Sequence, residues 1–110
     1  MNKQLRRKVL SRNIDTLSLF FCRETVSGYA LQAKIEDAFD VHIGSGLVYS
    51  SLMRLERDKL LSHDLVIGKC RTRQTCVYTI TEKGYLYFVE SIQTLRSLCL
   101  FSREKVKEKL

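Results

Sequence analysis

Residues 45–57 read Ser45-Gly46-Leu47-Val48-Tyr49-Ser50-Ser51-Leu52-Met53-Arg54-Leu55-Glu56-Arg57. Val48, Leu52 and Leu55 recur at the spacing that gathers side chains on one face of an α-helix, with Tyr49 beside them. Ser45 stands ahead of the run as an N-cap candidate. Ser45, Leu47, Ser50, Ser51, Arg54 and Arg57 are expected on the more exposed side. Such a helix needs a core on one face and leaves the other to water or a partner.

Upstream, Asp40 to Gly44 breaks the period. Before the break, Tyr29, Leu31, Ile35, Ala38 and Phe39 mark a helix of about twelve residues capped by Ser27 or Gly28, with Thr25 to Ser27 as its connector. Leu10, Ile14, Leu17 and Phe21 predict one earlier helix from about Lys3 to Arg23, and Leu5, Val9, Thr16 and Phe20 widen its apolar face. Downstream, Leu65-Val66-Ile67 and Val77-Tyr78-Thr79-Ile80 are β-prone runs separated by a basic, glycine-bearing segment, which predicts a hairpin. A register with Cys70 opposite Cys76 also sets Gly68 opposite Tyr78 and Val66 opposite Ile80, so Val66, Tyr78 and Ile80 share a face. Thr81 is the N-cap candidate of a last helix reaching almost to Leu110, with Gly84 an early irregularity. Along it Tyr85, Phe88, Ile92, Leu95, Cys99, Ser102 and Val106 alternate steps of three and four, the seam of two packed helices. For its first half the alternative is the chain's own core. Beyond Cys99 no core remains in so small a domain, which points to a second subunit.

A chain of 110 residues without proline, low-complexity linker or internal repeat reads as one domain. With 45% hydrophobic and 28% charged residues it lies well outside the composition of disordered chains. The net charge of +7 is clustered. Lys3, Arg6, Arg7, Lys8 and Arg12 have no acid among them, and Lys69, Arg71 and Arg73 crowd the hairpin tip; together these clusters account for the excess. Solvated surface is the plain alternative, but two clusters in separate elements favour a polyanion. Asp15 and Arg23 bracket the most apolar stretch, which falls short of a membrane span, and no cleavage motif follows the basic N-terminus. A cytoplasmic location and no membrane partner are expected.

Cys22, Cys70, Cys76 and Cys99 contain no Cys-x-x-Cys pair, and His42 and His63 are not spaced with them as a zinc site requires. No metal is expected. Cys70 and Cys76 are either two reduced thiols or a cross-strand disulfide. There is no Gly-rich phosphate loop, nucleophile-base pairing or carboxylate cluster, so neither an enzyme nor a cofactor is expected.

Three helices, a two-stranded hairpin and a long last helix give a mostly helical α+β fold in the order of a winged helix-turn-helix. Three stretches sharpen this. Ser27-Gly28-Tyr29-Ala30-Leu31 resembles the start of helix two in PadR-like winged-helix regulators. Gly46 to Glu56 resembles that family's recognition helix, Gly-x-x-Tyr-x-x-Leu-x-Arg-Leu-Glu, and Tyr78 to Gly84 its strand-to-helix junction. The resemblance spans about residues 14–95. Ser45 and Ser50 stand where many members carry proline. Lys59 stands where the family usually has glycine, so that turn is expected to use another conformation, because positive φ disfavours a side chain.

The resemblance implies a homodimer built through the last helix, often with help from the first, regulating a promoter by operator binding, with repression the expected sign. Members of the family can hold a small-molecule effector between subunits; no residue identifies one for this chain. Residues 1–80 would form the winged-helix domain with its basic N-terminal helix, and 81–110 the dimerisation helix of the same unit. Ser50, Ser51 and Arg54 are the base-proximal candidates for double-stranded DNA. Ser45, Tyr49, Arg57, Lys69, Arg71, Arg73, Arg6, Arg7 and Arg12 are the backbone candidates. Core packing competes for Tyr49, and an ion pair with Asp58 competes for Arg54. Tyr85, Phe88, Ile92, Leu95, Cys99 and Val106 are the candidate dimer residues. The rival reading is a winged helix that binds protein without specific DNA binding.

Overall fold

The structure, a computed structural model, describes residues 2–67 and 73–109. The expected first helix is two. Asn2 caps α1 (Lys3–Arg12) by accepting from the Gln4 and Leu5 amides, and α2 (Ile14–Phe21) follows after a break at Asn13. The break has a local cause. The Ser11 hydroxyl donates to the Arg7 carbonyl and the Asn13 side-chain amide to the Val9 carbonyl, side-chain bonds that compete with the helix's own. Leu10 and Ile14, astride the break, are both buried.

The connector at Val26–Ser27 is a short strand, β1, leading into α3 (Gly28–Phe39), whose N-cap Ser27 accepts from the Ala30 amide. Next come α4 (Ser45–Arg57), β2 (Leu61–Ile67), β3 (Gln74–Ile80) and α5 (Glu82–Lys109). The expected hairpin gains a third strand, giving an antiparallel sheet in the order β1-β3-β2. Leu19, Leu31, Ile35, Ile43, Val48 and Leu52 form the centre of the core where α2, α3 and α4 meet. Phe88 of α5 packs onto that core and lies 5.9 Å from the Phe20 ring.

The hairpin register differs from the expected one. Leu61 pairs with Ile80, His63 with Tyr78 and Leu65 with Cys76. β2 begins four residues earlier than its most β-prone run because Leu61 is the strand's buried residue. Tyr78 and Ile80 share the inner face as expected, but Val66 pairs with Thr75 on the other face. Cys76 therefore stands opposite Leu65, not Cys70, and its thiol is free. Cys70 lies outside the described residues, as do Gly68, Lys69 and Arg71.

The turn ending α4 departs from expectation in the opposite sense. Lys59 keeps the left-handed conformation, φ 63°, that glycine would favour. The Lys59 amide donates to the Glu56 carbonyl and the Leu60 amide to the Leu55 carbonyl, the paired bonds of a Schellman cap, with Leu55 and Leu60 both buried beneath it. The same turn receives α5. Thr81 donates its amide to the Leu60 carbonyl and its hydroxyl to the Lys59 carbonyl, while its Oγ1 caps α5 by accepting from the Gly84 amide. Gly84 fits against this turn only as glycine, since a Cβ would lie 2.0 Å from the Leu60 carbonyl oxygen.

Two substitutions test the joint. Lys59→Gly relieves the side-chain penalty of a left-handed residue and should stabilise the protein by about 0.5–1 kcal/mol, raising the thermal midpoint by a few degrees. Gly84→Ala should lower it sharply. A lowered midpoint for Lys59→Gly contradicts the reading of this turn.

Candidate nucleic-acid interface

Helix α4 is held on one side by apolar packing and on another by a polar clamp from α2. The Ser51 hydroxyl donates to Asp15 Oδ1 at 2.6 Å and lies 3.2 Å from the Ser18 hydroxyl. Ser51 has one proton and gives it to the carboxylate, so Ser18 is the donor of the second bond. Arg54 grips the same carboxylate, Nη2 to Oδ1 at 2.8 Å and Nε to Oδ2 at 3.4 Å, a two-point pair. These hydrogen bonds and the charge of Asp15 push the guanidinium pKa up, so it stays charged. Both partners are partly exposed, which limits the ion pair itself to about 1 kcal/mol.

Two of the three base-proximal candidates are thereby reassigned. Ser51 is fully buried, facing α2 rather than a partner, and Arg54 is paired with Asp15 instead of Asp58. Ser50 is exposed. A helical wheel carries the missed signal: at about 100° per residue Ser51 falls about 60° from Val48, on the inner side, whereas Ser50 is nearly opposite. The same geometry puts Gly46, Met53 and Arg57 beside Ser50, and Met53, absent from the candidates, is 72% exposed.

Tyr49 flanks this face, its ring against Gly28, where a Cβ would come within 2.5 Å of it. Gly28 and Tyr49, the glycine of one motif and the tyrosine of the next, are thus one contact. Tyr29 beside them is 78% exposed, not part of the apolar face on which the sequence placed it. Two residues along a helix is more than half a turn, so Leu31 and Tyr29 point opposite ways. Ser45 is the first helical residue of α4, not its cap; Gly44 holds the cap position and supplies no side-chain bond.

The hairpin meets α4 through His63, whose Nδ1 contacts the Glu56 carboxylate. Burial, followed by hydrogen bonding with Cys76, pushes the Tyr78 phenol up. Burial also pushes the Cys22 thiol up to about 12, which keeps it protonated and inert. Arg73, at the foot of β3, and Arg57 are exposed, with Arg57 3.4 Å from Asp58. The first helix supplies less than its charge suggests: Arg6 donates to the Phe39 carbonyl at 2.7 Å and Lys3 pairs with Asp40 at 3.3 Å. Arg7 and Arg12 are exposed on α1. Among the described residues no group of histidines, cysteines and carboxylates could hold a metal, and no helix is long and apolar enough to cross a membrane.

The seam residues divide. Phe88 belongs to the chain's own core, and Ile92 borders an apolar hollow with Phe20, Phe21 and Phe39. Tyr85, Leu95, Cys99 and Val106 are exposed.

A recognition-type helix with one face open, a three-stranded sheet whose hairpin extends beside it and a long closing helix define a winged helix-turn-helix. The family model "Transcriptional regulator PadR-like family" matches residues 17–90, and the chain belongs to that family. Among solved structures it is similar to a PadR family transcriptional regulator from Eggerthella lenta, with TM-score 0.83, 22% identity, and 94% of this chain and 89% of that one covered. A PadR-like transcriptional regulator from Bacillus cereus gives 0.76 and 22%, with 90% and 96% covered. Bacillus subtilis PadR in complex with operator DNA gives 0.65 and 16%, with 72% and 47% covered. No curated protein matches.

Removing the clamp tests its part in seating α4. Asp15→Ala leaves the buried Ser51 hydroxyl without its acceptor and should cost about 1–2 kcal/mol of stability in urea unfolding. An unchanged midpoint contradicts that role.

Proposed function

We propose that the protein is a DNA-binding transcriptional regulator acting as a homodimer, with repression as its expected sign. The observation that carries this reading is the open outer face of α4. Ser50 and Arg57 are exposed there among the described residues, Arg57 beside Asp58 at the helix end, while Ser51, Arg54 and the core residues fix the helix from behind. The first-turn amides of α4 have no side-chain cap, which suits them to a phosphate oxygen at Ser45. Membership of the PadR-like family supports the assignment, as does the operator complex of the Bacillus subtilis relative. Ser50 is then the base-proximal residue, and Arg57, Arg73, Tyr49 and the exposed Arg7 and Arg12 serve the backbone. Lys69 and Arg71, outside the described residues, keep that role from sequence. Arg54 is a positioning residue.

Binding of a random duplex by the full chain should weaken steeply with salt. Arg57→Ala and Arg73→Ala should each flatten the logarithmic salt slope by roughly one unit per lost phosphate contact. Salt-insensitive binding, or none, would instead favour the protein-adaptor reading.

The dimer reading rests on α5. Every described residue from Ile92 to Lys107 is exposed, and Leu95, Leu98, Cys99, Phe101 and Val106 among them are apolar. Contiguous exposure of this kind marks an interaction surface. Light scattering should give twice the chain mass, and Leu98→Glu should give a folded monomer. A wild-type monomer at micromolar concentration would contradict the dimer.

A further inference from the structure

Gly46, Ser50, Met53 and Arg57 follow one another at steps of four, three and four, a single line along the outer face of α4. Met53 is the large apolar group of that line and is 72% exposed. The core side of the helix is already filled by Val48, Leu52 and Leu55, so Met53 contributes nothing to the fold's interior.

Gly46 is an independent observation. Glycine in a helix is destabilising relative to alanine. Neither of its usual justifications applies, since its φ is not positive and a Cβ there would meet none of the described residues within 4 Å. What the absent side chain still permits is the close approach of another molecule to the helix backbone.

We propose that Met53 is a specificity-determining residue that reads the C5-methyl group of thymine in the major groove, with Gly46 giving the close approach that brings it there. This rests on the DNA-binding reading above. In the major groove the thymine methyl is the apolar feature among donors and acceptors, and a flexible, polarisable thioether suits it. Charge complementarity points to the same occupant, because Arg57 ends the line and the chain carries +7. Gly46 and Met53 are about 10 Å apart along the axis, roughly three base-pair steps.

The experiment uses the duplex recovered by the full chain from a randomised pool, with each thymine replaced in turn by deoxyuridine, which removes only the methyl. Wild type should lose about four-fold in affinity at one thymine of a half-site. Met53→Ala should bind the parent duplex about four-fold more weakly and ignore that deoxyuridine. Gly46→Ala should melt at a higher temperature yet bind several-fold more weakly, a combination that a structural role would not produce. Indifference of wild type to every deoxyuridine, or full sensitivity retained by Met53→Ala, overturns the assignment to Met53. Undiminished binding by Gly46→Ala overturns the close approach. In each case salt-dependent binding of the parent duplex would persist, whereas recovery of no preferred sequence with no salt-dependent binding defeats the DNA-binding reading and this inference with it.

Discussion

The turn at Lys59–Leu60 is the joint on which the rest of the molecule depends. It closes α4 with a Schellman cap, starts β2 one residue later, and lends its two carbonyls to Thr81 at the head of α5. Gly84 lets α5 come so near that no side chain fits between them. The helix with the open face, the hairpin and the long last helix are thus fixed to one another within a few residues. Left-handed geometry at a lysine is a local cost, and the buried Leu55 and Leu60 beneath it together with the α5 bonds above it offset that cost.

A second tie fixes the rotation of α4 about its axis. Apolar packing of Val48, Leu52 and Leu55 defines an inner face but leaves some freedom to roll. Asp15 removes it by holding Ser51 and Arg54 from α2. The outward line from Gly46 to Arg57 is the consequence, since whatever is not held inward by packing or by the carboxylate must face out. α2 also packs against α5, so the element that sets the open face touches the helix proposed to join subunits.

Helices α3 and α4, the cap at Thr81 and the hairpin were legible because each rests on local pattern: periodicity, a capping hydroxyl, β-branched runs. What escaped depends on partners distant in sequence or on side-chain bonds that override pattern. Asn13 and Ser11 break an apolar period that runs unbroken through them. Two residues of β1 become a strand only because β3 lies alongside. The register followed the burial of Leu61 rather than the symmetry of two cysteines. At the site, Ser50 and Arg57 can be placed from the wheel, but Ser51 reads as surface, a serine among apolar neighbours, until Asp15 and Ser18 are seen to satisfy it in the interior. Lys59 shows the converse: an unfavoured residue holds the left-handed conformation that glycine would favour because the surrounding turn requires it.

The most direct test of the account is chemical-shift mapping of the 15N-labelled full chain against a random-sequence duplex at low and high salt. Perturbations should concentrate on Gly46, Ser50, Met53, Arg57 and Arg73 and fade as salt rises. Shifts confined to the exposed end of α5, or none along α4 at low salt, would contradict the claim that the outer face of α4 is a DNA surface.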